Sequence, residues 1–271
     1  MRAGGREAFA GREGDRMPAR APTFFVGICG NIGVGKSAFA RLLGEGTGWP
    51  VYYEPVAENP FLEAFYADMR RWAFHLQIYL LAERFKAQKR FVEQGQPFIQ
   101  DRTIYEDGEI FARVLYERGA MEPREFDSFL ALFREMVELL PFPGLLLHLR
   151  ARPETLIRRI ATRGRSCEKG VTAAYLEQLE RAYLDWIASV RGRCPIVAID
   201  TETIAFPPDR ALIAEILREI DAARAAATAR ADAAATRPAA DAGPAGLLAL
   251  PADGKRAGGG GRTAGPARGG A

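Results

Sequence analysis

The run Gly30-Asn31-Ile32-Gly33-Val34-Gly35-Lys36-Ser37 has the residue types and spacing of a phosphate-binding loop. Its glycines let the backbone turn tightly and aim N–H groups at phosphate oxygens. A helix starting at the lysine adds the positive end of its dipole. At this spacing Lys36 reaches β- and γ-phosphates, and the Ser37 hydroxyl can ligate Mg²⁺. The pattern GxxxxGK(S/T) arises by chance in roughly 1% of chains of this length, and its place between an apolar run and a helical pattern lowers that figure. The loop implies a nucleoside triphosphate, expected to be ATP with Mg²⁺. It is silent on the group that receives the phosphoryl.

Other residues able to act on an acceptor follow in order. Glu54 ends the apolar run Val51–Tyr53 and would face the loop across a cleft, where a carboxylate within hydrogen-bond reach of a hydroxyl can accept its proton. Asp101 and Arg102 end the run Phe98–Gln100. Gln77 is one amide on an otherwise apolar helical face, able to donate and accept and so to read one edge of a ring. Arg84 lies seven residues on, two helical turns along the same face. Arg158, Arg159, Arg163 and Arg165 are forked donors suited to charge spreading over a transferring phosphoryl group. Singly, each has a plainer explanation, such as a surface Glu at a strand end or a solvated basic helix end.

These residues need elements to hold them. Apolar runs suited to buried strands are Phe24–Cys29, Val51–Tyr53, Phe98–Gln100, Leu145–Leu149 and Ile196–Ile199. Helical patterns lie between them at about 36–45, 61–93, 104–118, 123–139, 153–162, 172–190 and 209–223, with Pro123 and Pro153 suited to first turns. Strands separated by helices imply an α/β fold, a five-stranded parallel sheet flanked by helices on both faces. Ligands then bind at the carboxyl ends of the strands. Residues 1–21 and 224–271 are rich in Arg, Gly, Ala and Pro without periodicity and are expected to be disordered tails, the Ala-rich start of the second being able to extend the helix before it. The folded domain is expected at 22–223.

Together these motifs resemble the deoxyribonucleoside kinases, the group of deoxycytidine, deoxyguanosine and deoxyadenosine kinases, from about Phe24 to Ile220. The resemblance implies a P-loop NTPase fold of the nucleoside and nucleotide kinase kind with an arginine lid, and ATP-dependent phosphorylation of a deoxyribonucleoside 5′-hydroxyl. Tyr53-Glu54-Pro55 then makes Glu54 the base. Tyr66 would bind the sugar 3′-hydroxyl and Gln77 the base. Asp101 would help hold Mg²⁺, with Arg102 orienting Glu54 and the 5′-hydroxyl. Asp107 and Arg84 would contact the base and Phe111 would stack on it. Thr103 stands where the family's Asp/Glu-Arg-Ser motif has Ser, keeping the hydroxyl. Arg159, Arg163 and Arg165 fit the lid spacing, and Glu168 matches a carboxylate that binds the 3′-hydroxyl on closure. Arg158 falls outside that spacing and is expected in solvent. The loop after Ile199, which would hold the ATP adenine, matches too poorly to name residues. Arg84 with Asp107 resembles the purine- and deoxycytidine-using members and argues against a dedicated thymidine kinase, and the stretches YEPVAENPFLEAFYAD and QDRTIYEDGEIFA resemble bacterial deoxyadenosine and deoxyguanosine kinases, which favours a purine deoxynucleoside, deoxycytidine next. The resemblance also implies a homodimer.

Two other functions share part of this pattern. A thymidylate kinase also carries Glu-Pro after its second strand, normally preceded by Arg and followed by glycines; here Tyr53 precedes and Val56-Ala57 follow, leaving no cation for an acceptor phosphate. A non-catalytic relative should have lost Lys36, Glu54 or the lid arginines, and all are present. Composition narrows the remaining classes. The net charge of +3 comes from the tails, where residues 1–20 carry five Arg against three acids and residues 222–271 seven Lys/Arg against three Asp, so the body is slightly acidic and gives no basic patch for nucleic acid. Three scattered cysteines and two histidines make no zinc pattern and suit a reduced, cytoplasmic protein. No apolar stretch is long enough to span a membrane.

Overall fold

Five parallel strands form one sheet in the order β2-β3-β1-β4-β5: β1 Phe25–Gly30, β2 Val51–Tyr52, β3 Phe98–Asp101, β4 Leu145–Arg150 and β5 Ile196–Asp200. The structure, a computed structural model, describes residues 23–54, 59–165, 168 and 170–235. β1 is central, pairing Ile28 with Asp101 of β3 and Cys29 with His148 of β4. All residues of β1 and β3 are buried, as strands covered on both faces must be.

On one face, Phe25 and Phe98 stack at 4.7 Å and Phe98 and Phe91 at 4.9 Å, pinning the long helix α3 (Met69–Gln94) to the sheet. On the other, α1 (Lys36–Thr47) buries Phe39, Ala40 and Leu43. Helix α9 (Arg210–Ala235) packs on α1, with Leu217 seated against Gly46. The remaining helices are α2 (Leu62–Ala67), α4 (Ile104–Glu106), α5 (Arg113–Glu117), α6 (Pro123–Glu138), α7 (Pro153–Arg163) and α8 (Ala173–Ser189). Pro123 and Pro153 open α6 and α7 as expected. No described helix is long and apolar enough to cross a membrane.

Three segments differ from the sequence expectation. The pattern at 61–93 is two helices, because Asp68 leaves helical geometry and its carboxylate accepts from the Arg71 amide at 3.1 Å, starting α3 afresh. The pattern at 104–118 is interrupted by a π-helical turn, Asp107–Ala112, between α4 and α5. The last helix runs on to Ala235, so residues 224–235 are helical rather than part of a tail that begins at 224. Alanine favours that extension, and Arg224 lies over the Trp49 ring at 5.4 Å. Residues 1–21 and 236–271, expected to be disordered, lie outside the described residues, as does residue 22, expected to begin the folded domain.

Candidate active site

The glycine loop leaves β1 at its carboxyl end. Gly30 has φ +139, and a Cβ there would lie 2.3 Å from the Leu149 carbonyl oxygen, so only glycine lets the chain pass β4. Gly35 has φ +106 and lies under the ring of Phe206, where a Cβ would come within 2.4 Å. The Asn31 side chain tethers the loop: Nδ2 donates to the Leu176 carbonyl on α8 at 2.8 Å, and Oδ1 accepts from the Ile32 amide at 2.9 Å. Lys36 Nζ donates to the carbonyls of Gly30 at 2.7 Å and Asn31 at 2.9 Å. Burial, then the nearby Arg102 cation, bring its ammonium down to about 8.

Ser37 and Asp101 meet at the adjacent ends of α1 and β3, the hydroxyl donating to Asp101 Oδ2 at 2.5 Å. The other oxygen, Oδ1, is buried with no hydrogen-bond partner among the described residues. A buried carboxylate oxygen of this kind ordinarily has a partner, and beside a phosphate loop a divalent cation suits it. Burial raises the Asp101 carboxyl and Lys36 pulls it down.

Arg102 occupies the left-handed region at φ 69, unusual for a side-chain-bearing residue. Its amide donates to the Ile28 carbonyl at 3.0 Å, so β1 holds the turn. Next to it, Glu106 accepts from the Thr103 amide at 2.7 Å and from the Tyr183 hydroxyl at 2.7 Å. The Arg102 guanidinium lies 4.1 Å over the Phe111 ring, with Nη1 3.6 Å from Glu54 Oε1. Glu54 is also bonded by Arg84. Burial pushes the Glu54 carboxyl up, but Arg102, Arg84, Lys36 and Arg165 outweigh it and leave it at about 2. Glu54 is therefore an anion at neutral pH.

Arg84 is fully buried and joins Glu54 to Asp107. These two expected base contacts face each other behind the cavity wall instead of lining it. Burial lifts the Asp107 carboxyl to about 6 against the pull of Arg84, and its Oδ2 is unpartnered. Gln77 and Phe111 do line the cavity, as does Tyr66 from α2. Gln77 is 2% exposed and its Oε1 has no partner, which suits an amide meant for a ligand.

Across the cleft, α7 ends in the arginines. Arg163 donates twice to Glu168 Oε2, at 3.1 and 2.5 Å, and Arg165 lies 3.5 Å from Oε1. Glu168 thus holds the two cations together. Arg159 donates to the Thr201 hydroxyl and carbonyl at 3.0 and 2.6 Å and lies 4.6 Å over Phe206. Arg158, expected in solvent, is exposed but sits on the cavity rim, bonding Thr155 Oγ1 at 2.7 Å. The four arginines and Glu168 line one cavity of about 950 Å³, whose wall includes Phe206 and Glu202, Lys36 and Glu54, and Gln77 and Leu80. Its size suits two ligands end to end.

Thr201, Glu202 and Phe206 were missed from sequence. Glu202 caps α7, accepting from the Arg152 amide at 2.9 Å and Thr155 Oγ1 at 2.5 Å. The available signal was an aromatic residue in the short connection after the last strand, on the same sheet edge as the glycine loop.

A family model described as deoxynucleoside kinase matches residues 26–223. The chain belongs to the deoxynucleoside kinase family. A deoxyadenosine/deoxycytidine kinase of Bacillus subtilis is 38% identical over 197 residues, covering 72% of this chain and 90% of that kinase. A deoxyadenosine kinase of Dictyostelium discoideum is 37% identical over 182 residues, 67% of this chain and 74% of its own. A deoxyadenosine kinase from M. mycoides, solved with the products dCMP and a flexible dCDP bound, superposes with a TM-score of 0.65 at 30% identity over 73% of this kinase and 100% of that one. The same M. mycoides enzyme has been solved with bound dATP, at a TM-score of 0.64. The all-parallel sheet and the helices around it are thus those of a phosphotransferase of this family.

Proposed function

We propose that this kinase transfers the γ-phosphoryl of ATP to the 5′-hydroxyl of a deoxyribonucleoside, with purines preferred. The observation that carries this is the placement of an ionised Glu54 in the same cavity as Lys36 and Ser37, with Gln77, whose Oε1 has no partner among the described residues, farther along it. The donor's phosphates would lie on the loop, with Lys36 exchanging the Gly30 and Asn31 carbonyls for phosphate oxygens. Its adenine would lie near Phe206 and Arg159. Ser37 and Asp101 would hold Mg²⁺, whose charge offsets that of the β- and γ-phosphates when it is bound.

The acceptor's base would meet Gln77 and Phe111, with the Arg84–Asp107 pair behind them, and its 3′-hydroxyl would meet Tyr66. Glu54 would accept a hydrogen bond from the 5′-hydroxyl and take its proton as the oxygen–phosphorus bond forms. A carboxylate near 2 suffices for this, because the hydroxyl becomes strongly acidic only as that bond forms. Arg102 fixes Glu54 from one side. Arg163 and Arg165 would turn from Glu168 to the transferring phosphoryl, and Glu168, once released, would reach the sugar. Closing this side keeps water, a competing acceptor, from the donor.

Deoxycytidine is the next acceptor in line, in keeping with the similarity to the Bacillus subtilis deoxyadenosine/deoxycytidine kinase. A homodimer is proposed through the faces of α5 and α6, where Leu132 and Leu139 are 39% and 73% exposed; light scattering tests it. Steady-state phosphorylation of deoxyadenosine, deoxyguanosine, deoxycytidine, thymidine and dTMP tests the activity. A preference for dTMP, or no turnover with any nucleoside, would overturn the assignment.

A further inference from the structure

Residues 104–118 have the composition of one continuous helix, yet Asp107–Ala112 form a π turn. Such a turn carries an extra residue and persists where its neighbours favour it, often at functional sites. Both side chains that this helix directs toward the nucleoside end come from the turn: Asp107 bonds Arg84, and Phe111 lies beneath Arg102. Between them in sequence, the Gly108 backbone meets the Phe133 ring of α6. A Cβ at 108 would lie 2.6 Å from two ring atoms and 2.7 Å from a third. Gly108 is not in the left-handed region, so contact, not backbone conformation, demands glycine here. The ring has little room to retreat, being 3% exposed and stacked at 6.4 Å on Phe129, itself fully buried.

We propose that the Gly108–Phe133 contact is the seat of the π turn and determines nucleoside specificity by setting where Phe111, which lines the cavity, and Asp107, which backs it through Arg84, stand relative to the acceptor base. This rests on the roles proposed for those two residues at the base end. A side chain at 108 must push the turn off α6 or drive it back toward α-helical register, and one residue of register rotates a side chain by about 100°. Either displacement is felt at the nucleoside end. The donor end is built on β1, α1 and α7.

The test uses steady-state kinetics of the full chain with ATP, deoxyadenosine and deoxycytidine. Gly108→Ala is expected to raise the deoxynucleoside KM about tenfold and change the deoxyadenosine-to-deoxycytidine ratio of kcat/KM, with the ATP KM within about twofold. Adding Phe133→Leu, which shortens the ring, should restore most of the loss, because the two changes share one contact. Phe133→Ala alone removes the seat without adding bulk; it should raise the deoxynucleoside KM and leave that for ATP, which keeps the test decisive if Gly108→Ala does not fold. An unchanged deoxynucleoside KM in either single variant, equal rises in both KM values, or no recovery in the double variant would overturn the proposal. Asp107→Asn separates the two levels. If that variant keeps the parent's base preference, the base-facing role fails. If it loses the preference while Gly108→Ala keeps it, the role stands and the seat fails.

Discussion

Replacing Asp107 with Asn separates what the buried Arg84–Asp107 pair costs from what it does. Burial raises the Asp107 carboxyl to about 6, against the pull of Arg84. In an unfolded chain an Asp titrates near about 4. Between about pH 4 and 6 the folded chain keeps a proton that the unfolded chain has released, so stability falls as pH rises through this window. The loss is complete above about pH 6 and amounts to about 3 kcal/mol for a displacement of about two units. Activity should run the other way. Only the ionised carboxylate pairs fully with Arg84, so kcat/KM for the deoxynucleoside should rise through about pH 6. In Asp107→Asn this part of the stability slope should vanish, and with it the acid limb of the rate, while kcat/KM above the limb falls about 10- to 100-fold, as for a lost hydrogen bond to a charged group. Urea unfolding at acid and neutral pH, beside a pH–rate series, measures both. Asp101 and Glu106 are also raised by burial, so the difference between variant and parent decides. An acid limb near pH 6 that survives in Asp107→Asn would refute the reasoning.

Glu54→Gln keeps the side chain's size and removes its charge; kcat should fall on the order of 10²- to 10⁴-fold with the ATP KM held, and unchanged turnover would remove Glu54 as the base. Lys36 sits near 8 in the free enzyme, so kcat/KM for ATP should decline above about pH 8 while kcat, which reports the nucleotide-bound form, stays level. Asp101→Asn should shift the Mg²⁺ activation curve upward by about tenfold or more and leave metal-free nucleotide binding unaltered. Arg163→Ala should lower kcat by about 10³-fold, the scale of an arginine that stabilises a transferring phosphoryl, with little change in either KM.

The sheet was legible because its inner strands β1, β3 and β4 are buried almost throughout and the half-buried outer strands β2 and β5 are still apolar runs; each expected run matches an observed strand to within a residue or so. The helix ends were less legible. Asp68 is a cap only because the chain turns there, and the same residue inside a helical pattern reads as a polar position on its outer face. The π turn depends on Phe133, 25 positions away from Gly108 in sequence, and no local pattern announces it.

The candidate site divides in the same way. Lys36, Glu54, Gln77, Asp101, Arg102 and the α7 arginines were legible because each closes a strand or recurs along a helix, so chain geometry alone brings them to one cavity. Their partners were not legible. Arg84 has a guanidinium with several donors and at least two acids within reach, and the sequence order does not choose among them. Burial does. Taken out of water, Arg84 is stable only if its charge is matched, and the fold leaves it Glu54 on one side and Asp107 on the other. The same rule applies to the buried Glu168 carboxylate, whose charge is matched by the partly exposed Arg163 and Arg165. Phe206 shows the reverse case. It carries no charge to match, and only the absence of a Cβ at Gly35 gives its ring a place against the phosphate loop. A contact made by what a residue lacks leaves no motif of its own, and that is why the stretch around Phe206 was harder to read than the phosphate loop it covers.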